Sequence, residues 1–263
     1  MKLVISQPMY LPWRGIFEQI KLCDKFVFYD DVQIPKGGGK SRGFISRVQI
    51  KTERDWEWLS VPIKRSGEGL QLIKNAFFTD LGWKNRHMVK IKQAYQEAKF
   101  FNEIYESLVL PIYNYETELL SEFCINSTKI ICNYLDLHPL FYISSDLNIP
   151  KAKDASQRVL EICLHFKTSE YITGHGAKNY INYAIFEKEN VAIKYMEYKL
   201  TPYPQLHGKF NPFVSILDLL FNVGKDSNVY LDSKAIYWKN LNEFKYKDMN
   251  IISEVQQPCG EHE

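Results

Sequence analysis

Hydrophobic residues recur along this chain in two different periods, and the changes between them mark out its elements. Residues 2–6 (KLVIS) form an apolar run of strand length that stops at Gln7-Pro8. Residues 15–23 carry apolar side chains at Ile16, Phe17, Ile20 and Cys23, the spacing of a helix with one face against a sheet. Asp24 interrupts, and KFVFYDDV resumes as a second strand rich in aromatic and β-branched residues. Strand, helix and strand within about 30 residues predict a βαβ unit with a right-handed crossover. ISRVQI and WEWLSVPI then alternate around a polar turn at residues 52–55, which predicts a hairpin, and IKRSGEGLQLIKNAFF predicts a loop and a further strand.

Residues 82–137 change to the helical period. WKNRHMVKIKQAYQEA, FFNEIYESLVLPIY and TELLSEFCINSTKIICNYLDL predict three helices, the third starting near Thr117 and stopping before His138-Pro139. The α/β rhythm then returns. LFYISSDL, EYITG and VAIKYMEY predict strands, with helices between them from KDASQRVLEICLHF and AKNYINYAIFEKEN. Val159, Leu160, Ile162, Cys163 and Phe166 make the apolar face of the first of those helices. YPQLHGKFNPFVSILDLLFNVG predicts a loop followed by an apolar helix, and the chain beyond residue 224 turns polar. The alternation argues for the α/β class, with a mainly parallel sheet in Rossmann-like layers, a hairpin-containing loop region and a helical insertion. It predicts one domain over residues 1–263, with the insertion at 82–137 and a loosely packed tail at 240–263.

Composition narrows the setting. A chain of 263 residues that is 45% hydrophobic can bury a sizeable core without staples. Its 33 Lys and Arg against 31 Asp and Glu leave a net charge of +2, so nothing in the overall balance points to nucleic acid. Cys23, Cys124, Cys132, Cys163 and Cys259 are odd in number and lack a C-x-x-C pair, so they read as small apolar residues. There is no zinc spacing, no Ser-His-Asp order and no Walker loop, and no metal is indicated. No secretory signal pattern opens the chain, and no apolar run approaches the ~18 residues of a membrane span, so the expected location is cytoplasmic.

Several stretches hold residues suited to chemistry. In a parallel sheet, ligands collect beyond the carboxyl ends of strands. Gln7, Tyr10 and Trp13 stand on such a loop, and Asp30 and Asp31 close the next strand at the same edge. Neighbouring strand residues face opposite ways, so one of that pair at most points into a given crevice while extended, and both also suit a plain solvated strand end. The glycine-rich basic stretch with Lys36, Lys40 and Arg42 can fold over an anion, or simply lead into the hairpin. Gly174, His175 and Gly176 link a strand to a helix with Lys178 in its first turn, which suits a phosphate as well as an ordinary turn. His207, near Gln205 in YPQLHGKF, is of a side-chain type that can carry a proton. Asp218 sits in an apolar helix, where a carboxylate needs a partner, structural or functional.

QPMYLPWRGIFEQI, FVFYDDVQ, WLSVPIK ending at Lys64, and YPQLHGKFNPFVSILDLLFNVG together resemble the WbqC-like family of bacterial polysaccharide gene clusters, over roughly residues 3–224. The sequence departs from that family's pattern twice. Ser6 stands where the family often has histidine before Gln-Pro, and GGGKSRG stands where polar and aromatic residues usually precede Asn-Arg, leaving Arg42 as the nearest counterpart. The resemblance implies a place in O-antigen or related surface-glycan biosynthesis, with glycine transfer to a sugar amine as an implied reaction. Such acyl transfer needs an activated acyl or aminoacyl donor, a neutral amine, a base and donors for the oxyanion. By chemical type, Asp31 or His207 would take the proton. Gln7, Lys64 or the amides of residues 174–176 would serve the oxyanion or the diphosphate of a nucleotide-linked sugar. Two rivals stand beside this: an ATP-dependent ligase or nucleotidylyltransferase, which lacks its usual histidine-rich signature here, and a non-catalytic nucleotide-sugar-binding or assembly protein. An oligomer is compatible with all three.

Overall fold

The computed structural model describes residues 1–34, 44–64, 71–150 and 152–243. Its centre is a sheet of β1 (Lys2–Ser6), β2 (Lys25–Phe28), β5 (Leu140–Ile143), β6 (Glu170–Thr173), β7 (Ala192–Glu197) and β8 (Lys234–Tyr237), in the order β5-β2-β1-β6-β7-β8. All neighbours pair in parallel except β7 and β8. In chain order the parallel strands lie third, second, first, fourth, fifth, so the direction of winding reverses between β1 and β6. That is the doubly wound, Rossmann-like arrangement, and the reversal is its topological switch point.

Alternation along each strand feeds two cores. Val4, Phe26, Phe28, Ile172 and Met196 face α1 (Arg14–Leu22) and the helices inserted between β2 and β5. Leu3, Ile5, Val27, Tyr171, Ile193 and Tyr195 face α6 (Ala155–His165) and α7 (Tyr183–Lys188). The apolar face foreseen on α6, from Val159 to Phe166, lies in this second core. Asp154 caps α6, its carboxylate accepting from the Gln157 N–H at 2.9 Å.

The stretch between β2 and β5 forms a separate ribbon and a helical layer. β3 (Arg47–Thr52) and β4 (Asp55–Ser60) pair as an antiparallel hairpin, as their alternation predicts. α2 (Trp83–Tyr95), α3 (Phe101–Ile104), a π turn (Tyr105–Val109), α4 (Leu110–Asn114) and α5 (Leu120–Tyr134) follow. Helix continues through Pro111, and the π turn lies immediately ahead of this residue without an N–H.

Three expectations need correction. Beyond residue 60 the described residues contain isolated bridges (Ile63 with Phe78, Phe77 with Leu119) and a 3-10 turn, Ile73–Asn75, in place of a further strand. The polar chain after α8 (Ile216–Val223) holds a strand that the pattern does not predict, β8, which closes the sheet edge against β7. The helix foreseen to begin near Lys178 divides into a 3-10 turn, His175–Asn179, and α7. Residues 244–263, which hold most of the predicted tail, lie outside the described residues.

Candidate functional site

β1 and β6 lie side by side, Lys2 opposite Glu170 and Val4 opposite Ile172, so the loops that leave their carboxyl ends start next to each other. Gln7 follows β1 and is half-buried. Tyr29 extends the neighbouring strand, its N–H donating to the Ser6 carbonyl at 2.8 Å. The prolines and aromatics that follow are pinned on both sides. Tyr10 N–H donates to the Ile45 carbonyl, Ile216 N–H to that of Pro12, and the Ser215 hydroxyl to that of Leu11.

Trp13 is the residue this loop presents. Its backbone is extended at the N-cap of α1, and its indole lies back over Gly15, where an added Cβ would come within 2.3 Å of the ring. Only glycine permits that approach. The indole meets Tyr198 at 4.8 Å between ring centroids and Phe213 at 5.6 Å. Tyr198 lies just beyond β7 and takes a hydrogen bond from Gln19 Nε2 at 2.9 Å. A Cβ on Gly174 would lie 3.5 Å from the Tyr198 hydroxyl, so β1, β6 and β7 all send residues to one edge.

His175 turns back over that edge. Its Nε2 is 2.7 Å from the Met196 carbonyl, and because a carbonyl only accepts, the proton sits on Nε2 and the lone pair on Nδ1. The ring stacks near Tyr195 at 5.9 Å. Burial, and then the charge of Lys178, hold the imidazole pKa below its usual value. Lys178 sits 5.4 Å from the Tyr195 ring centroid. Gly176 is exposed, with open space where a Cβ would stand.

At the ends of β2 and β5 the carboxylates are firmly held. Asp30 accepts from the Ser145 N–H at 3.0 Å and hydroxyl at 2.8 Å. Ser144 Oγ lies between the pair, 3.0 Å from Asp30 and 2.5 Å from Asp31. Asp31 also pairs with Arg158 at 2.8 Å, the two side chains 20% and 13% exposed, so a carboxylate edge remains within reach of solvent.

Other residues singled out in the sequence stand elsewhere. Tyr10 is fully buried in an aromatic cluster with Trp83, Tyr113 and Phe123, and its hydroxyl bonds His87 Nδ1 at 2.7 Å and Tyr113. It anchors the loop to the helical layer and is enclosed against any ligand. Lys64 is exposed past the ribbon, its N–H donating to the Phe77 carbonyl. His207 Nε2 bonds the Ala94 carbonyl on α2 at 2.7 Å. Asp218 is fully buried and accepts from Tyr95, Tyr203 and Gln205, which makes Gln205 and Asp218 parts of one structural network. Arg42 lies outside the described residues, as do Lys36 and Lys40. Sequence reasoning missed Gln19 and Tyr198; in RGIFEQIKL, Gln19 stands among Arg14, Glu18 and Lys21, so the pattern does not set it apart.

The Tyr10 cluster makes stability pH-dependent. Burial lowers the His87 pKa from 6.5 to about 4, so the folded protein holds a neutral ring while the unfolded chain protonates near 6.5. The contribution is complete above pH 6.5 and is lost as pH falls from there to about 4. A gap of that size corresponds to about 3 kcal/mol. Urea midpoints measured across this window should fall steeply in the wild type and less in His87→Gln; parallel curves would remove His87 as the cause.

Among the described residues no helix is long and apolar enough to cross a membrane, and no group of three or more His, Cys, Asp or Glu could hold a metal ion. The model of the WbqC-like protein family matches residues 7–230, from the loop after β1 to the turn before β8. The uncharacterized protein Rv1507c of Mycobacterium tuberculosis is 33% identical over 235 residues, which cover 88% of this chain and 97% of that relative. No solved structure matches significantly. The family match takes in the loop after β1 and four of the sheet's six strands, and the relative extends the likeness over almost its whole length: this chain belongs to the WbqC-like protein family.

Proposed function

We propose that the switch-point edge binds a nucleotide-linked amino sugar and that the protein transfers an acyl or aminoacyl group, glycine being the implied one, to the sugar's amine during surface-glycan biosynthesis. The observation that carries this reading is the convergence of the β1, β6 and β7 ends on one edge, which brings Gln7, Trp13, Tyr198, His175 and the Gly174–Gly176 turn with Lys178 together. Membership of a family tied to polysaccharide gene clusters supports the glycan setting.

Each group has a suitable task. Lys178 and the turn after β6 meet the diphosphate, and the Trp13–Tyr198 wall offers aromatic surface to a base or sugar ring. The solvent-facing edge of Asp31 accepts from ribose or sugar hydroxyls, as acidic residues ending the second strand do in related folds. The amine nitrogen attacks the acyl carbonyl, its proton passes to a base, and the leaving group departs with the bonding electrons. His175 is the histidine at this edge; its lone pair is on Nδ1, a buried atom, so the ring has to turn outward to take the proton. His207 stands instead against Ala94 on α2, and Asp31 is paired with Arg158 and Ser144. Gln7 supplies an N–H donor for the developing oxyanion. The acyl donor is an activated species, and ATP is its source in the ligase variant of this reading.

Lys178→Ala tests the diphosphate contact. A charge-assisted hydrogen bond of about 1.5–3 kcal/mol corresponds to an affinity loss of about ten- to hundred-fold. Titration calorimetry with UDP-, GDP- and dTDP-linked amino sugars should show that loss with an unchanged melting temperature. Equal affinity in wild type and variant would remove Lys178 from the site, and wild-type binding without turnover would favour the non-catalytic reading.

A further inference from the structure

Tyr180 leaves the turn after β6 with its two ends in different surroundings. Its hydroxyl is hydrogen-bonded to that of Tyr171, a residue 1% exposed whose own hydroxyl reaches Thr173 Oγ1 at 3.1 Å. Burial pushes the Tyr180 phenol pKa up, which marks the hydroxyl as the covered end. The residue as a whole is nevertheless 42% exposed, so its exposed part lies away from the hydroxyl. A tyrosine at a protein surface is ordinarily arranged the other way, with the ring covered and the hydroxyl wet. The backbone is fastened too. The N–H groups of Tyr180 and Ile181 both donate to the Ala177 carbonyl, at 3.1 and 3.0 Å, and Ala177 and Ile181 are buried in the second core.

The neighbours of Tyr180 fix its place on the edge. Tyr29 stands level with the carboxyl end of β1, its N–H on the Ser6 carbonyl, and lies near Tyr180, Asp31 and Arg158. Because β1 separates β2 from β6 in the sheet, a side chain close to both Tyr29 and Tyr171 lies across β1, at the switch point. On its other flank Tyr180 is near Tyr195, whose ring centroid is 5.4 Å from Lys178. His175 opens the same turn on the side of β7, with its ring 6.2 Å from that of Tyr198, and Trp13 stands beyond Tyr198. Asp31 and Tyr180 therefore lie on one side of the Lys178 turn, and His175 and Trp13 on the other.

That order gives the ligand a direction. The reacting amine has to reach His175, which sets the sugar at the Trp13 end, and the nucleoside, joined through the diphosphate, falls on the side of Tyr180 and Asp31. A ring held by both its backbone and its hydroxyl loses little freedom when a base stacks on it, and stacking accepts any base. We propose that the exposed ring of Tyr180 is the stacking platform for the nucleobase, so that the nucleotide-linked sugar lies across the switch point with its base on Tyr180, its diphosphate at the turn of residues 174–178 and its sugar at Trp13. This orientation rests on the switch-point reading above, and the test separates the two.

Titration calorimetry of the full chain uses UDP-, GDP- and dTDP-linked amino sugars, together with the nucleoside monophosphate that carries the base of the tightest of them. Tyr180→Ala should weaken both the nucleotide sugar and the monophosphate by about five- to hundred-fold, the usual effect of removing a stacked aromatic. Tyr180→Leu, which fills similar space without an aromatic face, should show the same loss and serves should the alanine variant not fold. Tyr180→Phe keeps the ring and should retain most of the affinity. Trp13→Ala should weaken the nucleotide sugar and leave the monophosphate unchanged. Wild-type affinity for both ligands in Tyr180→Ala, a loss of the monophosphate in Trp13→Ala instead, or a loss in Tyr180→Phe as large as in Tyr180→Ala would each overturn the proposal while wild-type binding upheld the switch-point reading. A wild-type protein that bound none of the three nucleotide sugars would overturn that reading and the orientation with it.

Discussion

Asp218→Ala should destabilise the protein by about 3–5 kcal/mol, the range for breaking a buried, hydrogen-bonded charge network at one member. The carboxylate accepts from Tyr203 at 2.7 Å, Gln205 at 2.7 Å and Tyr95 at 3.0 Å. Tyr95 in turn accepts from the Lys51 N–H of β3, and Gln205 holds both backbone groups of Asn211. One side chain therefore ties α8 to α2, to the ribbon and to the segment from Tyr203 to Asn211. Alanine would strand two buried hydroxyls and an amide, each of which costs about 1–3 kcal/mol when unsatisfied. Asp218→Asn keeps one accepting oxygen and should lose less. Urea unfolding provides the comparison; an alanine variant within about 0.5 kcal/mol of wild type, the level of an ordinary surface change, would contradict the network's structural role.

His175→Asn should lower single-turnover acyl transfer by about 10²–10⁴-fold, the usual contribution of a positioned general base, with a smaller change in sugar binding. The pH profile carries more information than the rate alone. The wild-type base is neutral above its lowered pKa, so activity should hold through neutrality and fall only on the acid side, below the usual histidine range. His175→Asn should lose that acid limb. Near-normal turnover in His175→Asn, with the limb intact, would hand the role to Asp31 or His207, and the corresponding variants, Asp31→Asn and His207→Asn, would then show the loss.

The sheet was legible because buried parallel strands are short unbroken apolar runs and the helices between them carry one apolar stripe. KLVIS, KFVF, EYIT and AIKYME all became strands of it. β8 was not, because KAIY is four residues in polar surroundings and owes its strand geometry to pairing with β7, a contact far away in sequence. Strand order is equally non-local, so the edge that joins Gln7 to Gly174 emerges only in three dimensions. Tyr10 misleads for a related reason. A tyrosine in a proline-broken loop suits ligand contact, yet Trp83, His87 and Phe123 close over it from α2 and α5. In RGIFEQ, Arg14 and Glu18 have the spacing of a solvated helix pair. They are buried because α1 is covered on both sides, every residue from Arg14 to Ile20 being inaccessible.

The central claim is that a nucleotide-linked amino sugar lies at the switch point between β1 and β6. The most direct measurement is a crystal structure of the protein grown with the nucleotide sugar that binds best in titration. The account predicts the diphosphate within hydrogen-bonding distance of Lys178 and the Gly174–Gly176 turn, with a ring of the ligand against Trp13. A ligand seated instead on the β3–β4 ribbon, or at the opposite edge of the sheet near Asp24 and His138, would contradict it.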